Sequence, residues 1–90
     1  MKLWFQFTAK ADKEFAKLGQ VLQERIVKKL DYFEQSSDYH DFSEKLAGVE
    51  NNYRLRIGDY RIIFSPRSDG SLVILLVLKV GHRRDIYEEF

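Results

Sequence analysis

The residues of this sequence whose type and spacing suit chemistry on a phosphate are Arg54, Arg56 and Arg61, gathered around one tight turn in "NYRLRIGDYRIIF", positions 52–64. A guanidinium keeps its charge at any physiological pH and presents a planar fork of donors that matches two phosphoryl oxygens. Held on a rigid strand, such groups form an anion site. On a merely solvated face they splay apart with their stems over apolar surface. The segment reads as a β-hairpin, because Gly58-Asp59 between alternating apolar runs is a two-residue turn signal and Gly in the first position suits a type II′ turn. Closing the hairpin there sets Ile57 opposite Tyr60, Leu55 opposite Ile62 and Tyr53 opposite Phe64, six side chains on one face. Arg54, Arg56, Arg61 and Ile63 then share the other face. In this register Arg56 lies directly opposite Arg61, and like charges so placed destabilise a hairpin by up to about 1 kcal/mol. Something must compensate.

The net charge of the 90-residue chain is only +1, which alone says little about partners, but the charge is unevenly spread. Between Asn52 and Arg84 stand seven basic residues (Arg54, Arg56, Arg61, Arg67, Lys79, Arg83 and Arg84) against two acidic ones, Asp59 and Asp69. A local basic face on a nearly neutral protein points to a defined polyanion contact. Cysteine is absent, which removes disulfides, thiolate metal sites and cysteine nucleophiles, and fits an intracellular protein. His40 stands between Asp38 and Asp41, yet sequential neighbours rarely converge on one ion; a solvated loop is expected there. Neither a metal nor a cofactor is expected. The apolar start "MKLWF" is too short for a signal-peptide core and the run Leu72 to Leu78 too short to span a membrane, so a cytoplasmic location without membrane association is expected.

These residues need a scaffold. "KLWFQF" has strand-forming residues and leads to Thr8, an expected N-cap for a helix through "AKADKEFAKLG" that ends at Gly19. In "QVLQERIVKKLDYFEQ" the residues Leu22, Ile26, Leu30 and Phe33 recur at helical spacing, with Arg25, Lys28 and Lys29 toward the opposite side. Ser36 to Asn51 reads as a polar loop with a turn at Gly48. "SPRSDG" supplies turn residues, and "SLVILLVLKV" is apolar on both faces, as a central strand covered on both sides would be. Leu76 is expected in the core. The expected fold is α+β over a single domain, 1–90: an N-terminal strand, a helical hairpin, then a three-strand antiparallel meander, β-α-α-β-β-β plus a short tail, with both helices on one face of a small sheet. The helices would cover the Tyr53/Leu55/Ile57 face and leave the arginine face uncovered.

The helical hairpin followed by "KLAG", "YRLRIGDYRIIF" and "ILLVLKVGHRRDIY", in this order and spacing, resembles the RelE/ParE superfamily of bacterial and archaeal toxins over nearly the whole chain. The likeness is greater to the RelE branch, which cleaves messenger RNA in the ribosomal A site, than to the ParE branch, which inhibits DNA gyrase. The resemblance implies a metal-independent endoribonuclease in which the substrate's 2′-hydroxyl attacks the adjacent phosphate. Arg61 matches the family arginine that contacts the scissile phosphate, Arg54 and Arg56 match a pair of basic strand residues, and Arg83 matches the basic residue after the last strand's glycine. Arg84 beside it is a further candidate for RNA binding. For proton transfer the resemblance implies two schemes. One uses the basic cluster with a C-terminal tyrosine, here Tyr87, which lies two residues nearer Gly81 than in the best-known members. The other uses a glutamate two residues before the leucine of "LxG", here Glu44, with a C-terminal histidine, here His82. The partners implied are a cognate antitoxin, the ribosome and mRNA. A gyrase inhibitor and an inactive member that keeps its antitoxin are the rival readings.

Overall fold

The computed structural model describes residues 2–86. The elements run β1 (Lys2–Phe7), α1 (Ala9–Ala16), α2 (Gln20–Phe33), a 3-10 turn (Tyr39–Asp41), β2 (Glu44–Lys45), β3 (Tyr53–Ile57), β4 (Tyr60–Asp69) and β5 (Leu72–His82). One five-stranded sheet has the order β1-β5-β4-β3-β2. Strands β2 to β5 are antiparallel neighbours, and β1 returns beside β5 in parallel. This is the expected α+β architecture with one addition. The segment expected to be only a loop contributes β2, two residues that pair Glu44 with Arg54 and Lys45 with Tyr53.

Local chemistry accounts for the helices. The Thr8 side chain accepts the Ala11 N–H at 3.1 Å and starts α1, satisfying one of the donors a helix leaves open at its first turn. Gly19 proves to be the N-cap of α2, with Lys17 capping α1. The sharp stop of α1 is held instead by Gln23, whose amide donates to the carbonyls of Phe15, Ala16 and Leu18 at 3.2, 3.3 and 2.9 Å. Ile26 and Leu30 of α2 and Ala11 of α1 bury their side chains against Leu3, Phe5, Tyr53, Leu55, Ile57, Ile62, Phe64, Val73, Leu75, Val77 and Val80. Both helices therefore cover one face of the sheet. Each fully buried Leu, Ile, Val or Phe there contributes on the order of 1.5–3 kcal/mol.

Two expectations about β4 and β5 change. β5 is not covered equally on both sides: Val73, Leu75 and Val77 are buried, whereas Leu72, Ile74, Leu76 and Leu78 are half-buried. Leu76 belongs to this second set and lies on the face away from the helices, opposite Ser65. Nor is the arginine face bare, because Ile63 on it is fully buried and Lys79, its cross-strand neighbour, is buried as well. The register slips between Ile63 and Phe64, where Lys79 and Val77 are the successive partners and Leu78 is the extra residue. A bulge of this kind sharpens local twist and re-aims the residues after it. β1 reaches only to Val77; past it, the Val80 N–H on the exposed edge is taken by Glu14 Oε1 of α1 at 3.0 Å.

Candidate functional site

The site is built on the β3–β4 hairpin. Every cross-strand pair expected from the turn is present: Ile57 with Tyr60, Arg56 with Arg61, Leu55 with Ile62, Arg54 with Ile63 and Tyr53 with Phe64. Gly58 has φ +59° while Asp59 does not have a positive φ, the pattern of a type II′ turn. Two of the three hairpin arginines find acceptors, one on each strand. Arg61 Nη1 folds back over the turn and donates to the carbonyls of Gly58 at 2.9 Å and Tyr60 at 3.0 Å. Arg54 Nη2 donates to Glu44 Oε2 at 2.6 Å, with the Arg54 side chain 22% exposed and the Glu44 carboxylate 67% exposed. Arg56 is left solvent-exposed between them.

Arg83 reaches the same turn from the end of β5. Its backbone N–H donates to the Asp59 carbonyl at 2.8 Å, and its Nε stands 3.7 Å from Asp59 Oδ1. Two guanidinium groups thus converge on one hairpin turn from different strands. A third comes from behind: the Arg25 guanidinium of α2 is 3.6 Å from the point where a Cβ on Gly58 would sit. Arg25 was not among the sequence candidates, since on α2 it reads only as one of the cations opposite the apolar stripe. Nothing in the sequence ties residue 25 to residue 58.

The other candidates fall into three groups. Glu44 is brought to the arginine face, bound to Arg54. His82 pairs with Tyr60, so it takes the side of the sheet opposite Arg61, whose partner is Gly81; its ring meets Tyr60 edge-on at 5.4 Å. His82 Nδ1 accepts the Arg84 N–H at 3.2 Å, which assigns the ring proton of the neutral form to Nε2. Arg84 itself is exposed in the turn after β5. Tyr87 lies outside the described residues. Ile86, the last described residue, is buried with its side chain 3.6 Å from the Cβ position of Gly81. Because Gly81 faces Arg61, the turn after β5 packs onto the arginine face.

His40 has a structural role: its Nδ1 lies 2.7 Å from Asp38 Oδ1, and its Nε2 is 3.4 Å from the Tyr53 hydroxyl. Hydrogen bonds from the His40 backbone and ring hold the Asp38 carboxyl below its ordinary range, and burial beside Tyr53 pushes the Tyr39 phenol up. Among the described residues, no three histidine or carboxylate side chains come together as a metal site.

Chemically, the hairpin presents Arg56, Arg61 and Arg83 as fixed or exposed cations on or beside the sheet face opposite the two helices. A phosphodiester laid there would exchange the neutral carbonyl acceptors of Arg61 for anionic phosphoryl oxygens, which match the guanidinium in both charge and forked geometry.

Comparison with known proteins agrees with this geometry. No curated protein matches the chain at a significant level. Among solved structures, a double-mutant form of the E. coli toxin RelE in the free state superposes with a TM-score of 0.72 at 27% identity, covering 98% of this chain and 90% of that one. RelE in the intact E. coli RelBE toxin–antitoxin complex gives 0.69 at 26%, covering 88% and 94%. A chain of the RelB–RelE antitoxin–toxin complex from Methanococcus jannaschii gives 0.66 at 26%, covering 93% and 96%. The family model for the ParE toxin of type II toxin–antitoxin systems matches residues 5–87. The chain belongs to the ParE toxin family of type II toxin–antitoxin systems, within the RelE/ParE superfamily, and has the fold of the RelE toxins.

Proposed function

We propose that the protein is a RelE-like toxin that cleaves messenger RNA in the ribosomal A site without a metal. The observation that carries this reading is the convergence of Arg61 and Arg83 on the Gly58-Asp59 turn, on a sheet face free of helices. In the reaction the 2′-oxygen forms a bond to phosphorus as the bond to the 5′-oxygen breaks. The 2′-proton passes to a base, and an acid protonates the departing oxygen. Arg61 stabilises the charge on the phosphoryl oxygens and Arg83 the leaving oxygen or the phosphate, while Arg54, Arg56 and Arg84 hold the RNA backbone.

For the proton steps, the position of Glu44 and His82 on opposite sides of the sheet favours the scheme that uses the basic cluster and Tyr87. Ribosome dependence fits the same arrangement: among the described residues, the strand positions flanking Arg61 on the arginine face, Arg56, Ile63 and Gly81, include no aromatic side chain to orient a base, so the ribosome orients the substrate.

The natural counterpart is a cognate antitoxin, as RelB is in the E. coli and archaeal complexes. Support comes from an apolar band on the open face, where Trp4, 50% exposed, lies beside Ile74 and Ile74 beside Arg67. An amphipathic antitoxin segment would cover that band and neutralise the arginines. A second reading is favoured by the family match itself, which is to ParE toxins: a non-enzymatic gyrase inhibitor on the same fold. Induced expression followed by primer extension on cellular messages separates the two. Codon-phased cuts are expected; a DNA-damage response without cuts would establish the gyrase reading.

A further inference from the structure

The outward side of α2 is a second cationic surface that the cleavage chemistry does not use. Arg25, Lys28, Lys29 and Tyr32 follow one another at i, i+3, i+4 and i+7, so they form a single stripe about 10 Å long. All four are exposed. Among the described residues, Arg25 and Lys28 form no ion pair. The carboxylates of α2 nearest the stripe in sequence, Glu24 and Asp31, fall about 100° round the helix from its centre.

The two ends of the stripe are distinct. At one end, Arg25 packs against Gly58, the same turn that gathers Arg61 and Arg83. At the other, Lys29 Nζ stands 5.8 Å from the ring centres of both Tyr32 and Phe33. Tyr32 is 65% exposed and borders a cavity of about 440 Å³ lined by Tyr32, Phe33, Gln35, Ser36, Asp41 and Phe42. Phe33 and Phe42 are stacked there at 4.6 Å. Cations followed by an exposed aromatic and an aromatic-lined cavity are the components that hold single-stranded nucleic acid: the backbone tracks the charges and a base stacks on a ring. Asp41 and Gln35 add side chains that can accept from a base amino group, and Asp41 repels a phosphate, so a base is the part that fits the cavity.

We propose that α2 carries an accessory binding strip for single-stranded RNA, running from the hairpin turn past Arg25, Lys28 and Lys29 to a base seat at Tyr32. The strip deepens the RNA-cleaving reading above by giving the message a path beyond the cleaved bond. The aromatics look scattered in the sequence because Phe42 lies nine residues beyond Phe33. The loop after α2 brings them together.

Fluorescence anisotropy with a 12-mer of uridine and with an RNA duplex, over a range of salt, tests this on the whole protein. The parent is expected to bind the single strand more tightly than the duplex. A triple variant, Arg25→Gln, Lys28→Gln and Lys29→Gln, should lower the slope of log affinity against log salt by about 2, at about 0.7 per phosphate contact. Tyr32→Ala should weaken single-strand binding about tenfold at every salt with the slope unchanged. All four side chains are exposed, so thermal melting should match the parent and exclude misfolding. Equal binding of duplex and single strand, no binding by the parent, or a triple variant with parental affinity and slope would each overturn the strip. This readout is independent of cleavage. A parent that binds but does not cut messages on ribosomes leaves the strip standing and removes the nuclease reading, whereas one that cuts but binds unchanged in the triple variant does the reverse.

Discussion

Arg61 faces another arginine across the hairpin, yet among the described residues its guanidinium donates only to carbonyls of its own turn. A turn that orients a guanidinium without neutralising it suits a group waiting for an anion. Replacing Arg61 by Ala should therefore reduce the rate of message cleavage on the order of a hundredfold. Stability should fall by no more than about 3 kcal/mol, because one exposed and one part-buried hydrogen bond worth about 0.5–1.5 kcal/mol each are lost while a repulsion of up to about 1 kcal/mol is relieved. A large fall in melting temperature would make this arginine structural.

The proton-transfer groups are separable in the same way. Under the scheme that uses the basic cluster, Tyr87→Phe and Arg83→Ala should lose most of the single-turnover rate on ribosomes, whereas Glu44→Gln and His82→Gln should keep it. The opposite pattern, with one limb of a bell-shaped pH profile lost in Glu44→Gln and the other in His82→Gln, would transfer the roles to that pair.

At the scale of elements, the hairpin was legible and the loop before it was not. Turn chemistry at Gly58-Asp59 and the period-two alternation of Tyr53, Leu55 and Ile57 determine a register between them, because a slip of one residue would expose the whole apolar set. Gly58→Ala should thus cost roughly 1–2 kcal/mol, the penalty of a side chain at positive φ, measured by chemical denaturation. β2 is two polar residues with no pattern of its own, and exists through pairing with β3 and the Glu44–Arg54 contact. The two-sided apolarity of β5 was visible, but its asymmetry was not: Leu75→Ala, at a fully buried position, should cost roughly 2–5 kcal/mol, and Leu76→Ala on the open face distinctly less.

The 3-10 turn Tyr39–Asp41 carries a pH signature. Hydrogen bonds from His40 depress the Asp38 carboxyl below its ordinary value of 3.8. The folded state therefore releases this proton more readily than the unfolded one, and the contribution is present above about pH 4 and lost as pH falls through the lower folded value. Asp38→Asn should flatten that part of the acid-unfolding curve, followed by denaturant midpoints between about pH 5 and pH 2. An unchanged curve would show that the contact does not stabilise the fold.

Over the whole molecule, helices cover one face of the sheet and leave the other to arginines beside the Trp4–Ile74 band. The expected basic face was legible from the clustering of arginines after Asn52. The burial of Ile63 and Lys79 on that face was not, nor was the packing of Ile86 onto Gly81 there, since both depend on how the turn after β5 folds back. The approach of Arg25 to Gly58 was equally hidden, because helix-to-hairpin packing leaves no local pattern in either segment.

The most direct test of the central claim is cleavage by the purified protein of a defined message, free and bound in the A site of a ribosome, mapped to the nucleotide. Cuts confined to the A-site codon, only when ribosomes are present, and reduced on the order of a hundredfold in a folded Arg61→Ala variant are predicted. An intact message on ribosomes exposed to folded parent protein, or cutting that persists at the parental rate in Arg61→Ala, would contradict it.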